Sequence, residues 1–289
     1  MTSYVKKLLG FGTPRPPTPP PKLIDSWRDV DWNTLDALKK DVLGYSTGKE
    51  NAPFANIVMF GQVGAGKSSY FNTIDSICKG RFAARFETGE SRSSVTKWFR
   101  KTRFGGNNGP AFYVCDTMGM EEDQGLDVTD FPFILDGHLS DKFQFDGRVT
   151  EDSPGFVPSP SLGQRMHCLC YIMDSCKLTM ISGDTQTKIA LVKDLASARN
   201  IRFVILLTKI DLLCPEVARD TKNAYRSRAV REVVEQVSSL TGTPIGFIYL
   251  VKNYASEKDL DPVMDALALT ALRQMLWFCD DILEESDDE

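Results

Sequence analysis

The segment Gly61-Gln62-Val63-Gly64-Ala65-Gly66-Lys67-Ser68 constrains this chain more than any other. It matches the pattern GxxxxGK[ST] in full. An apolar run over residues 56–60 precedes it, and helical spacing over 68–79 follows. The glycines let the backbone curl so that N–H groups point at phosphate oxygens. The start of the following helix adds partial positive charge. Lys67 is expected to reach the β- and γ-phosphates and Ser68 to ligate Mg2+, with Gln62, Val63, Ala65 and Ser69 in the same cradle. Such a loop needs a strand before it and a helix after it, so the motif already asks for an α/β fold.

The remaining chain supplies that alternation. Residues 96–104 alternate like a strand and 111–115 form an apolar run, with GGNNG at 105–109 as a hairpin signal between them. Helical patterns are expected over 128–139, 184–198 and 226–240, the last closed near Gly242. Apolar strands are expected over 168–173, 203–207 and 245–251. A final helix is capped by Asp261, has Pro262 in its first turn and runs to Leu283. Ahead of the first strand, Asn33 is a candidate cap for a short helix carrying Leu35, Leu38 and Val42 on one face and stopped by Gly44; Trp27 and Trp32 flank it. The sum is an α/β fold of the P-loop NTPase, GTPase type: a mostly parallel sheet with one antiparallel edge strand and helices on both faces.

Four stretches follow from composition. Residues 1–22 are proline-rich and read as an extended spacer, although Pro17, Pro20 and Lys22 fit the loose pattern of an SH3 ligand. Residues 23–52 form a helical extension, 53–284 the nucleotide-binding domain and 285–289 an acidic tail. Inside the domain, 140–164 is rich in Gly, Pro and Ser and has no periodicity. The net charge of −5 argues against bulk attraction to nucleic acid or anionic lipid. Seven cysteines without a CxxC pair suit a reduced, cytoplasmic setting. Neither a signal peptide nor a membrane-spanning run is expected, and Thr2 stands where myristoylation needs glycine.

Two further elements turn a phosphate cradle into a guanine-nucleotide site. Asp116-Thr117-Met118-Gly119 ends an apolar strand with DxxG; Asp116 would hold Mg2+ through water, and the Gly119 N–H would meet the γ-phosphate. In the loop Gly89–Thr96, Thr96 or else Ser94 would close on the metal. Arg92 could serve as an arginine finger or be a solvated loop residue. Thr208-Lys209-Ile210-Asp211 matches [NT]KxD. A carboxylate at Asp211 accepts from both N1–H and the 2-amino group of guanine, a donor pair that adenine lacks, while the stem of Lys209 lies against the base. Lys252 and Asn253 stand where a second base-contacting loop belongs. No Ser/His/Asp set and no metal cluster stand out, and His138 and His167 read as structural.

With these residues in place the chain resembles dynamin-like and immunity-related GTPases broadly and the interferon-induced protein 44 family most. The carrying stretches are GQVGAGKSSYFNTI (61–74), FYVCDTMGME (112–121), DSPGFVPSPSL (152–162) and NYASEKDLDPVMDALALTALRQMLWFCDDILE (253–284), within a similarity running over 27–284. Family members often carry a further N-terminal domain, which is not expected here. The resemblance implies a cytosolic, interferon-inducible protein of antiviral defence that binds GTP or GDP with Mg2+. Its partner would be an unidentified protein or viral target, or a second copy in a nucleotide-dependent homodimer. It leaves catalysis open. Met120 stands where Ras-like enzymes place a water-orienting glutamine, so hydrolysis would fall to Glu121, Glu122, Gln62 or a partner molecule. The alternative is a pseudo-GTPase interaction module.

Overall fold

A computed structural model of the chain describes residues 22–86, 98–105, 109–119 and 126–286. Strands β1 (Ala55–Phe60), β2 (Trp98–Thr102), β3 (Phe112–Asp116), β4 (Phe143–Gln144), β5 (Cys168–Asp174), β6 (Arg202–Thr208) and β7 (Ile248–Leu250) form a sheet in the order β4-β2-β3-β1-β5-β6-β7. The pairs β1–β3, β1–β5, β5–β6 and β6–β7 are parallel, and β2 runs antiparallel to β3, as the hairpin signal required. Chain order departs from β1 in both directions, to β3 on one side and β5 on the other. The carboxyl end of β1 is therefore the topological switch point where open α/β sheets bind ligands.

Side-chain alternation explains why both faces are covered. Every residue of β1 and β5 is buried. Val58, Phe60, Leu169, Tyr171 and Met173 enter one apolar core; Ile57, Met59, Cys168, Cys170 and Ile172 enter the other. The first core is closed by helices α3 (Phe131–Leu135), α4 (Gly183–Ser197) and α7 (Arg228–Thr241), through residues such as Phe131, Val192 and Val234. The second is closed by α1 (Leu35–Leu43), α2 (Lys67–Lys79) and α8 (Pro262–Glu285), through Val42, Phe71 and Leu272. Short helices α5 (Ile210–Leu213) and α6 (Pro215–Arg219) follow β6. No helix among the described residues is long and apolar enough to cross a membrane.

The N-terminal extension is fastened at two points. Arg28 donates to the carbonyls of Ile245 (2.7 Å) and Ile248 (2.9 Å), and Trp27 meets Tyr225 edge-on at 4.8 Å. Helix α1 then packs on α8. Its N-cap is Thr34 rather than Asn33, and neither a Thr34 side-chain bond nor an Asn33 one caps it.

One expectation needs correction, and one stretch whose role the sequence left open proves to be anchored. The helix expected over 128–139 is a 3-10 turn at Val128–Asp130 followed by α3, which stops at Leu135. Gly137 ends it with φ of +85°, where a Cβ would lie 2.5 Å from the Gln164 carbonyl oxygen. The aperiodic stretch 140–164 is not structureless either. Phe143 pairs with Phe99 in the β2–β4 ladder, and Phe143, Phe145 and Val149 are buried. The His138 and Phe156 rings stack at 5.0 Å, and Asp130 accepts from the Val149 N–H at 3.0 Å. Widely spaced aromatic anchors hold this segment, so no local period announces it.

His167 sits at the amino end of β5, buried. Its Nδ1 accepts from the Asn56 N–H (2.9 Å), so Nε2 carries the proton toward the Leu162 carbonyl (3.1 Å). Burial, with the nearby Lys101 and Arg165 charges, pushes its pKa down to about 4. A folded pKa below the unfolded value means that the unfolded chain takes up the extra proton, and stability is lost as pH falls from the ordinary histidine value toward 4. Between pH 7 and pH 5 this group is expected to cost about 2 kcal/mol, read from denaturant unfolding at both pH values. In His167→Gln the difference between the two pH values should shrink by that amount; an unchanged difference would sink the assignment.

Candidate functional site

The loop at residues 61–68 leaves β1 at the switch point and ends in α2. Gly61 and Gly66 are held to glycine by close contact. A Cβ on Gly61 would lie 2.2 Å from the Ile172 carbonyl oxygen of β5. Gly66 has φ of +99° as the N-cap of α2, and its Cβ would meet the Thr208 hydroxyl and the Asn253 amide at 3.2 Å each. Loop carbonyls are tied to donors. Lys67 Nζ reaches the carbonyls of Gly61 (2.8 Å) and Gln62 (3.4 Å), Thr208 Oγ1 donates to Ala65 (2.6 Å), and Asn253 Nδ2 donates to Gly66 (3.3 Å).

The start of α2 is electrostatically open. The first backbone bond closing the helix is Tyr70 N–H to the Gly66 carbonyl at 2.9 Å, so the N–H groups of the first turn point out from the helix start. No side chain caps this helix and its first turn holds no acid. Helices α4 and α8 differ: Ser182 and Asp261 cap them, and Asp184 and Asp265 lie in their first turns. The α2 terminus thus presents a positive dipole end with no acid in its own first turn.

Asp116 closes β3 beside this loop, in register with Met59 of β1. The following Thr117 is buried with its hydroxyl 3.3 Å from the Met59 carbonyl, and Gly119 accepts from the Leu126 N–H at 2.9 Å. Asp116 thus ends β3, and Ser68 opens α2 just after the neighbouring parallel strand β1, at the same end of the sheet. Thr96, Ser94, Arg92, Met120, Glu121 and Glu122 lie outside the described residues. No group of three or more His, Cys, Asp or Glu suited to a metal occurs among the described ones.

The base-side candidates divide into two sets. Thr208 and Asn253 spend their side chains on the phosphate loop, and Lys252 pairs with Glu257 at 3.4 Å. Lys209 and Asp211 are half-buried at the start of α5, where Lys209 adopts φ of +59°. Lys209 Nζ is held 2.8 Å from Asp174 Oδ2, at the buried carboxyl end of β5. Asp174 Oδ1 accepts from the Cys176 N–H at 2.9 Å. Lys177 Nζ lies 3.9 Å from the same carboxylate and 3.8 Å from where a Gly64 Cβ would stand. Asp174, Cys176 and Lys177 were not anticipated. The available signal was a lone acid ending the all-apolar run CLCYIM, paired across the ladder with Thr208.

This arrangement bears out a phosphate-loop architecture and can be set beside known proteins. No protein-family model matches the chain. Human interferon-induced protein 44-like is 37% identical over 256 residues, which is 86% of this chain and 56% of the relative. Interferon-induced protein 44 of Pan troglodytes is 32% identical over 79% of this chain and 53% of the relative; that of Mus musculus is 31% identical over 79% and 56%. The chain belongs to the interferon-induced protein 44 family. It spans about half the length of the curated relatives it matches. Among solved structures, a GTP-binding protein from Sulfolobus solfataricus in complex with GDP aligns at a TM-score of 0.40 and 13% identity, over 79% of this chain and 53% of that one. An Era variant from Aquifex aeolicus bound to GDP.AlF4- aligns at 0.39 and 11%, over 77% and 56%. Both likenesses are too slight to bear on the site.

In this family member the Gly61 contact gives a direct test of the loop. Gly61→Ala forces a methyl onto the Ile172 carbonyl and is expected to cost about 2 kcal/mol in denaturant unfolding. Gly183→Ala, at a helix start with open space around it, should be neutral or slightly stabilising. Equal effects from the two would contradict the close approach.

Proposed function

We propose that the chain binds guanine nucleotide, GTP or GDP, with Mg2+, at the loop of residues 61–68. The observation that carries this reading is the uncapped, acid-free start of α2 facing a loop whose carbonyls are tied back to Lys67, Thr208 and Asn253. Lys67 would leave the Gly61 carbonyl for the β- and γ-phosphates, exchanging a neutral acceptor for a charged one. Ser68 and Asp116 supply hard oxygen donors of the kind Mg2+ takes, with phosphate and water completing the shell; Thr96 would join them. Bound there, the ion would neutralise charge on the phosphate oxygens. Asp211 would select guanine, and Lys209 would line the base.

The relatives' names support an interferon-induced setting for the protein, its free cysteines support a cytoplasmic one, and an antiviral role is part of the same proposal. A second reading rests on Met120, which has no hydrogen bond to offer an attacking water. On that reading the chain holds nucleotide as a pseudo-GTPase interaction module with little or no hydrolysis, whereas the first reading carries slow hydrolysis or hydrolysis assisted by a partner or a second copy. Phosphate release followed across a series of protein concentrations separates the two. Turnover rising with concentration supports a homodimeric GTPase; binding without turnover supports the module.

Lys67→Ala is expected to abolish GTP and GDP binding by titration calorimetry while leaving the fold intact by circular dichroism; retained affinity would count against the loop. Asp211→Asn should weaken GTP by at least about tenfold and shift preference toward xanthosine nucleotides, whose C2 carbonyl accepts from an amide. ATP binding more tightly than GTP to the unaltered chain would refute the guanine assignment.

A further inference from the structure

A continuous line of polar contacts runs from the phosphate loop to helix α1, through residues that touch no phosphate. It begins at Gly66, whose carbonyl accepts from Asn253 Nδ2 at 3.3 Å. Asn253 Oδ1 lies 3.3 Å from Thr73 Oγ1, on the second turn of α2. The same hydroxyl accepts from the Tyr254 N–H at 3.1 Å. Asn253 and Tyr254, beyond the end of β7, therefore grip α2 at its N-cap and about two turns further on.

Tyr254 is buried, and its hydroxyl both accepts and donates. It takes the Asp261 N–H at 2.6 Å and gives its proton to Asp265 Oδ1 at 2.7 Å. Asp265 is 1% exposed, in the first turn of α8. Its other oxygen faces Lys39 Nζ of α1 at 2.9 Å. A carboxylate this deeply buried is tolerated only with its partners in place, so Lys39 and Tyr254 together fix where Asp265 sits. Position then passes from Lys39 to Asp265, to Tyr254, to Thr73 and Asn253, and so to Gly66. Gly66 is the residue whose left-handed conformation aims the amides of Lys67, Ser68 and Ser69.

We infer that Asn253, Tyr254 and Asp265 are positioning residues for the phosphate loop, and that Lys39 sets the outer end of the line, so that helix α1 tunes the hold on the nucleotide's phosphates. The inference rests on the guanine-nucleotide reading above. It concerns phosphate affinity and not base choice, because none of the line's contacts involves Lys209 or Asp211.

A second ion pair between the same two helices supplies the control. Arg273 Nη1 of α8 lies 3.5 Å from Asp41 Oδ2 of α1, and among the described residues no hydrogen bond or ion pair joins it to Tyr254 or Asp265. The full chain and its Lys39→Met, Lys39→Arg, Tyr254→Phe and Arg273→Met variants would be titrated with GDP, IDP and guanosine, with unfolding midpoints measured without nucleotide. Lys39→Met and Tyr254→Phe are expected to weaken GDP by about five- to tenfold. Their GDP-to-IDP ratio and their affinity for guanosine should stay unchanged. Lys39→Arg should recover most of the loss, and Arg273→Met should leave GDP affinity within about twofold. Should Tyr254→Phe fail to fold, the half-exposed Lys39 carries the test alone. Equal loss in Lys39→Met and Arg273→Met, or unaltered GDP affinity in Lys39→Met, overturns the inference. Failure of the unaltered chain to bind GDP overturns instead the nucleotide reading on which it rests.

Discussion

The site depends on one close approach, that of Gly61 to the backbone of β5. Strands β1 and β5 pair in parallel as far as Phe60 opposite Tyr171. The chain must then turn away from the sheet over β5, and it does so with a Cβ position only 2.2 Å from the Ile172 carbonyl oxygen. Only glycine fits. Because the turn is this tight, the loop emerges over the switch point, and α2 can start at the same end of the sheet as the carboxyl ends of β3, β5 and β6. The buried strands on either side have little freedom to move. Any residue larger than glycine would therefore have to be accommodated by the loop itself.

Around that turn, buried polar groups are placed with their partners. Thr208 is fully buried at the end of β6, and its hydroxyl is occupied by the Ala65 carbonyl; Thr73, Tyr254 and Asp265 form another satisfied group. An unpaired polar group in the interior costs about 1–3 kcal/mol, so each of these pairings favours one arrangement of the loop over its neighbours. Lys67 is a different case. Its ammonium holds the carbonyls of Gly61 and Gln62, neutral acceptors on the loop itself, and so keeps the cradle shaped. The loop's form is thus written partly in residues far from it in sequence.

That distribution explains what the sequence could and could not disclose. The phosphate loop, the alternation of strands and helices and the antiparallel β2 were legible, because each has a local signature: GxxxxGKS, period-2 or period-3.6 burial, and GGNNG. The early end of α3 was not, because Gly137 stops it against Gln164, a partner distant in sequence. Nor was β4, a two-residue strand held by Phe99 across the sheet. Among site residues, Thr208 and Asn253 were assigned to the base from motif position. Their side chains reach instead to Ala65 and Gly66, a choice made by the crossing of β6 and the post-β7 segment over the loop, which no linear pattern encodes. Asp174 escaped notice for the same reason: its partner Lys209 is in the next strand's loop.

The Asp174–Lys209 pair bears on how the base side is prepared. Asp174 is 5% exposed, and its carboxylate needs Lys209 as a neutralising partner. This tethers the ammonium and so restricts the course of the aliphatic stem behind it. A free lysine would lose rotamer entropy on lining a planar base; a tethered one has already lost it. The φ of +59° at Lys209, uncommon for a side-chain-bearing residue, fits the same account, since it turns the chain sharply from β6 into α5 with Asp211 two residues on. The stem and the carboxylate expected to read guanine are therefore set by one backbone turn and one ion pair, before any ligand arrives.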